Sequence, residues 1–204
     1  SLEDQAESVK QGLKDRFGAD NVRELRVETV GPAVGADLRE AAKKALLFAL
    51  VGICIYISIR FEFRFAITAI IALAHDVLFS LGMIAVTGRE ISLPVIAALL
   101  TIVGYSINDT IVLFDRIRED RKFMRKASQE EIIDLSINQT LSRTALTSVT
   151  TLLVVLALYI FGGTVINDFA FVLLVGILVG TYSSIFIASP LLIDWPGRKA
   201  GVRR

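Results

Sequence analysis

A chain of 204 residues in which 53% are hydrophobic, with 22 basic and 21 acidic side chains and a formal net charge of +1, exceeds the roughly 45–50% apolar content of soluble domains. Its mean hydropathy of +0.60 marks an integral membrane protein. The charge balance excludes a global attraction to nucleic acid, so the placement of the charges carries the information.

The first forty residues are polar enough to lie in water. SLEDQAESVKQ (1–11) has neither an initiating Met nor a secretory pattern, which is expected of a piece of a longer protein. Leu2, Ala6, Val9, Leu13 and Phe17 recur at helical spacing, Gly18 suits a helix stop, and Leu25, Val27 and Thr29 alternate with charged neighbours as a half-buried strand does. One helix and one strand cannot enclose a core. Residues 1–40 are therefore expected to be the C-terminal end of an α/β domain, or partly disordered in isolation.

Taking about 20 apolar residues per crossing, five spans follow at 41–60, 66–87, 91–117, 144–163 and 168–192, making residues 41–192 a transmembrane helix bundle. The first span is free of charge from Ala45 to Ile59, with Lys43, Lys44 and Arg60 placed to reach the interface at its ends. Cys54, the only cysteine, lies inside it as a small hydrophobe, so no disulfide or cysteine-rich metal site forms within the chain. Lys and Arg gather in 60–65, 116–143 and the tail 193–204, and the turns 88–90 and 162–167 hold a single Arg between them. Such a bias puts the first set in the cytoplasm and the N-terminal segment outside. Within 116–143, Ser128 and Glu131 fit a capping box, and Ile133, Ile137 and Leu141 repeat every fourth residue. An amphipathic helix on the inner membrane face is expected, its basic residues meeting anionic lipid or water. Nucleic acid is not the expected partner, since no aromatic stacking platform accompanies them.

Ionisable groups inside the spans point to function. Asp109 lies in the run GYSINDTIVLF (104–114); an Asp near a helix centre costs about 2.5–3.5 kcal/mol on insertion scales and reads as a proton, ion or substrate site. Wrapping the third span as a helix puts Thr101, Tyr105, Asn108, Asp109 and Arg116 on one side, and in the fourth Arg143, Thr147, Thr150 and Thr151 share a side. Two polar stripes gain most by facing each other, although each threonine hydroxyl can instead bond back to its own helix and Arg143 can simply reach the interface. An Asp109 paired with Arg143 stays charged, and one left alone in an apolar setting takes up a proton, which is the physical core of a proton-coupled switch.

His75 and Asp76 sit about ten residues into the second span, roughly 14 Å deep. Pointing about 100° apart, they are not expected to face one site; a proton relay and an inter-helix hydrogen bond both remain open readings. With one His in the chain, no metal site is expected, and no cofactor is implied. Gly176, Gly180 and Ser184 repeat every four residues and read as close helix packing.

The strings VGPAVGADL (30–38), ALAHD (72–76), GYSINDTIVLFDRIRE (104–119), NQTLSRTALTSVTTLL (138–153), FGG (161–163) and GTYSSIFIASPLL (180–192) resemble the SecF branch of the SecD/SecF family of protein-export membrane proteins, within the resistance-nodulation-division superfamily. The resemblance implies an α-helical integral membrane protein of the bacterial inner membrane. The five spans here would be the second to sixth of a six-helix half-bundle, preceded by the end of an α/β periplasmic domain. It further implies an accessory, non-enzymatic role in which the proton gradient assists export. Asp109 and Arg143 would be the proton-coupling residues, and His75, Asp76, Tyr105, Asn108, Thr147 and Thr150 remain candidate polar groups of the proton path. The implied partners are SecD, a SecY-containing translocon and the unfolded polypeptide in transit. A proton-coupled exporter of small molecules is the rival from the same superfamily. An intramembrane aspartyl protease is disfavoured because Asp109 and Asp115 lie about 240° apart around one helix.

Overall fold

The computed structural model describes residues 2–22 and 32–194. They fall into two compact units, Ser1–Ala45 and Leu46–Arg204. In the first, helix α1 (Leu2–Phe17) ends where expected: Gly18 adopts φ 86°, its N–H donates to the Lys14 carbonyl at 2.9 Å, and a 3-10 turn (Ala19–Asn21) follows. A left-handed φ of this kind is what only glycine takes without strain. Among the described residues nothing covers Val9, Leu13 and Phe17, which are exposed. The strand expected at 25–29 lies outside the described residues.

Five helices among the described residues are long and apolar enough to cross a membrane. Helix α2 (Pro32–Arg60) is followed across a two-residue turn by α3 (Phe63–Val86), and then come α4 (Leu93–Phe123) and α5 (Gln129–Phe161). The last span is α6 (Gly163–Ser183), a π turn (Ser184–Ala188) and α7 (Ser189–Asp194). Pro94 occupies the first turn of α4, where a missing N–H is harmless. Pro190 has a different effect. With no N–H to offer the Phe186 carbonyl, it breaks the α register at the end of the last span, and the chain widens into the π turn just before it, with Ser189 Oγ donating to the Ser184 carbonyl at 3.3 Å.

The stretch 116–143 departs from its expected form. No separate amphipathic helix occurs there: α4 runs on to Phe123, a short turn follows, and residues 129–143 are the first turns of α5, continuous with its apolar part. The expected capping box is present, Ser128 Oγ accepting from the Glu131 N–H at 3.2 Å and Glu131 accepting from the Ser128 N–H at 2.9 Å. Cross-helix bonds explain why this segment stands as helix. Ser136 Oγ donates to Asp120 Oδ2 at 2.8 Å, Arg116 reaches Asp120 Oδ1 at 3.2 Å, and Arg116 also bonds Gln139. Asp120 is buried, so its partners satisfy a group that would otherwise oppose folding.

Two apolar clusters fill the bundle. One gathers Phe61, Phe65, Phe114, Ile117, Ile133 and Leu192; the other gathers Ile84, Val95, Ile102, Val155, Ala170 and Ile177. Helix α6 supplies the closest packing, against α4, through Gly176 and Gly180. A Cβ at Gly176 would collide with the Ile102 side chain, and one at Gly180 would lie 3.0 Å from Ser106 Cβ. The small-residue stripe is thus a packing surface. Gly176→Val is expected to destabilise the bundle by about 1–3 kcal/mol, the usual range for overpacking, read as lower thermal stability in detergent, with Gly82→Ala, where a Cβ meets nothing within 4 Å, unchanged. Outward faces of α2 and α5 leave Phe48, Ile55, Leu146, Leu153 and Val154 exposed, as lipid-facing side chains are.

At the turn joining α3 to α4 lies Arg89, the single basic residue of the turns 88–90 and 162–167. It is tied down: its guanidinium bonds Asn167 Oδ1 at 2.8 Å, Asp168, and Tyr159 Oη at 3.3 Å, and lies 4.2 Å from the Phe171 ring centroid. Removing it leaves Asp168 without its partner. Arg89→Met is expected to cost about 2–3 kcal/mol, seen as a lower unfolding midpoint, with Arg89→Lys recovering only part because an ammonium cannot span the same fork.

Candidate functional site

Three helices meet at Asp76. The carboxylate, fully buried on α3, accepts from Ser106 Oγ of α4 at 2.5 Å and from Ser183 Oγ of α6 at 2.7 Å, both on Oδ2. Its other oxygen lies 3.1 Å from His75 Nδ1. The expectation that His75 and Asp76 point to separate sites is corrected here. Their Cα–Cβ bonds do diverge, but the imidazole folds back far enough to meet its neighbour, while remaining partly exposed itself. Asp76 makes hydrogen bonds between helices, to Ser106 and Ser183, and His75 bonds only its neighbour. Ser183 sits immediately before the π turn, so the hub also marks the last residue of α6 in regular register.

One turn further along α4 from Ser106, Asp109 presents the opposite situation. It is 4% exposed, and its Oδ2 is buried with no hydrogen-bond partner. The groups near enough to act on it electrostatically are Arg143 of α5 and Asn108 of its own helix. No ion pair joins it to Arg143, which is exposed on α5. A buried carboxyl oxygen without a partner is rare, because leaving such a group unsatisfied costs about 1–3 kcal/mol.

The two polar stripes do not face each other as expected. Thr147 and Thr150 are exposed and Thr151 half-buried, and all three bond back to their own helix: Thr147 to Arg143 and Thr144 carbonyls, Thr150 to Leu146 and Thr147, and Thr151 to Thr147. With their hydroxyls satisfied locally, nothing draws them towards α4. The buried polar face of α5 is one residue on, at Ser136, Thr144 and Ser148. Ser148 joins two helices, with its Oγ 2.7 Å from Thr181 Oγ1 of α6 and accepting from Tyr105 Oη of α4 at 3.4 Å. Tyr105 therefore reaches the interior network. Asn108 and Thr101 are exposed, and Thr101 bonds the Ala97 carbonyl at 2.8 Å.

Ser106, Ser148, Thr181 and Ser183 are the members of this network that the sequence did not single out. Only their place among apolar neighbours, at positions that share a face with Asp76 or Tyr105 once the helix azimuths are known, distinguishes them from ordinary self-bonded hydroxyls. Together the hub and the Tyr105–Ser148–Thr181 link place polar groups on α3, α4, α5 and α6, and Asp109 Oδ2 has no partner.

Comparison with known proteins agrees with this architecture. Residues 9–198 match the family Protein export membrane protein SecD/SecF, C-terminal. The chain is 55% identical over 193 residues to protein translocase subunit SecF of Desulfurispirillum indicum, covering 93% of this chain and 61% of that protein. Against the same subunit of Vibrio alginolyticus it is 53% identical, covering 89% of this chain and 57% of the relative. Among solved structures, the crystal structure of SecDF, a translocon-associated membrane protein from Thermus thermophilus, superposes with a TM-score of 0.80 at 54% identity, covering 83% of this chain and 24% of that one. The chain thus spans about three fifths of the length of the SecF relatives. With five membrane-crossing helices and a match running through nearly all of its length, it belongs to the SecD/SecF family of protein-export membrane proteins.

Proposed function

We propose that this chain is the proton-coupling helix bundle of an accessory subunit of bacterial protein export, with Asp109 as the group that gains and loses the proton. The observation that carries the reading is the buried, unpartnered Oδ2 of Asp109 within a membrane helix. A buried carboxyl oxygen with no hydrogen-bond partner leaves room for a proton, and a mobile charge near it can decide which form the group takes. Arg143 is the candidate for that charge. Exposed and without a competing acid among the described residues, it can move between the interface and Asp109, pairing with the carboxylate in one state and releasing it to a proton in the other. Tyr105, Ser148 and Thr181 supply hydroxyls along which water or a proton can be passed. Asp115 takes no part: it is exposed and paired with Arg60 at 2.8 Å, which removes the second carboxyl that an Asp109–Asp115 protease dyad needs.

The names of the relatives suggest the partners. SecF relatives are named as translocase subunits and the SecDF relative joins both halves in one chain, so SecD is the proposed companion, acting beside a SecY-containing translocon on an unfolded polypeptide. The bundle is placed in the bacterial inner membrane with residues 1–40 in the periplasm and the C-terminus in the cytoplasm, as the Lys and Arg bias favours. The test is translocation driven by a proton gradient in vesicles carrying the full-length subunit and its partners, with Asp109→Asn compared with the parent. Undiminished gradient-dependent export in that variant would overturn the proposal.

A further inference from the structure

The turn between α2 and α3 borders an open cavity of about 280 Å³, lined by Ile59, Arg60, Phe61, Glu62, Phe65 and Arg118. Its floor carries buried aromatic side chains: Phe61 and Phe65 are buried, and Phe114 meets the Phe65 ring edge-on at 4.9 Å. Its rim is cationic. The two acids here are already engaged, Asp115 by Arg60 at 2.8 Å, and Glu62 by Arg64 at 2.8 Å and Arg121 at 3.3 Å. Arg118 is left over. Its Nη1 donates to the Arg60 carbonyl at 3.1 Å, and it has no acidic partner among the described residues. Four arginines therefore surround two carboxylates, and a guanidinium whose remaining N–H groups have no acid to meet lines the cavity. Helix α3 also begins here with no side chain capping its first N–H groups, which adds to the positive potential.

We propose that this cavity holds the phosphate headgroup of an anionic phospholipid. Charge alone would suit inorganic phosphate equally well, and the flanking side chains decide between the two. Ile59 and Phe63 are 82% and 65% exposed on either side of the turn, at the ends of two membrane-crossing helices. A molecule that is anionic at one end and apolar at the other satisfies Arg118 and covers Ile59 and Phe63 together. A free phosphate leaves both apolar side chains bare. Basic pockets between transmembrane helices at the membrane surface bind anionic headgroups on the same physical grounds, and a cavity of this size suits a headgroup rather than a larger ligand.

The experiment is native mass spectrometry of the full-length protein in detergent, titrated with phosphatidylglycerol, phosphatidylcholine and inorganic phosphate. Phosphatidylglycerol is expected to be retained roughly fivefold better than phosphatidylcholine, the scale of one arginine contact at a membrane surface. Arg118→Gln is expected to abolish the preference, whereas Arg125→Gln, an equal loss of charge at an exposed position outside the cavity, leaves it intact. Equal retention of the two lipids, an unaffected Arg118→Gln, or equal losses in both variants would overturn the site, the last by showing diffuse charge attraction. Displacement of phosphatidylglycerol by millimolar phosphate would reassign it to a free anion. If Arg118→Gln is not recovered folded, the wild-type comparison of the two lipids and the phosphate competition decide the matter, absence of a preference counting against the proposal.

Discussion

Replacing Asp109 by Asn in the full-length subunit is expected to leave the amount of membrane-inserted protein unchanged and to lower gradient-dependent translocation about tenfold or more. The first half follows from the geometry. The Oδ2 that becomes an amide NH₂ has no hydrogen bond to lose, and a neutral amide is easier to bury than a carboxylate. The second half follows from the energy at stake. One elementary charge crossing 100 mV releases about 2.3 kcal/mol, which biases a two-state movement by more than tenfold, and an amide that cannot exchange a proton forfeits that bias. Export of a pulse-labelled secreted protein into inverted vesicles, with and without the gradient, measures the loss, and an immunoblot measures the protein level. A purely structural Asp109 predicts the reverse pattern, less protein with normal export per molecule. Arg143→Ala is expected to show the same uncoupling at normal protein level, since its side chain makes no buried contact in the structure.

Five spans, their approximate limits, the Gly18 stop and the Ser128–Glu131 capping box are all legible in the sequence, because each rests on local rules of length, backbone conformation or spacing. Gly176 and Gly180 were legible as packing positions for the same reason. What failed depended on azimuth. The threonine stripe of α5 and the buried face of α5 differ by one residue, about 100° of rotation, and hydropathy does not resolve that where polar residues lie at 143, 144, 147, 148, 150 and 151. Ser106 and Ser183 do not stand out in the sequence because a hydroxyl in an apolar helix usually needs no partner but its own carbonyl. Their role appears only when three helices bring them to one carboxylate. In the stretch 116–143 the density of charge hides the bonds from Asp120 and Arg116 to α5, which let two helices continue past their apolar parts.

Asp76 is where the structural and proton-relay readings make opposite predictions. Every oxygen of this carboxylate has a partner, in contrast to Asp109. In Asp76→Asn, a carbonyl oxygen in the Oδ2 position still accepts from both Ser106 and Ser183, and the NH₂ in the Oδ1 position donates to His75 Nδ1 if the imidazole carries its proton on Nε2. The hub survives with its count of bonds intact. Asp76→Asn is therefore expected to unfold within about 1 kcal/mol of the parent and to translocate normally. Asp76→Leu is expected to lose about 3 kcal/mol or more, through an unpaired Ser106 hydroxyl and a branched side chain forced into a site shaped for a smaller one. Ser183 is spared by its second contact, the Gly180 carbonyl at 3.2 Å. Thermal unfolding in detergent and gradient-dependent export, measured on both variants, separate the alternatives. A well-folded Asp76→Asn that fails to export would move Asp76 and His75 onto the proton path, and would mean that the three-helix junction itself changes protonation as the bundle works.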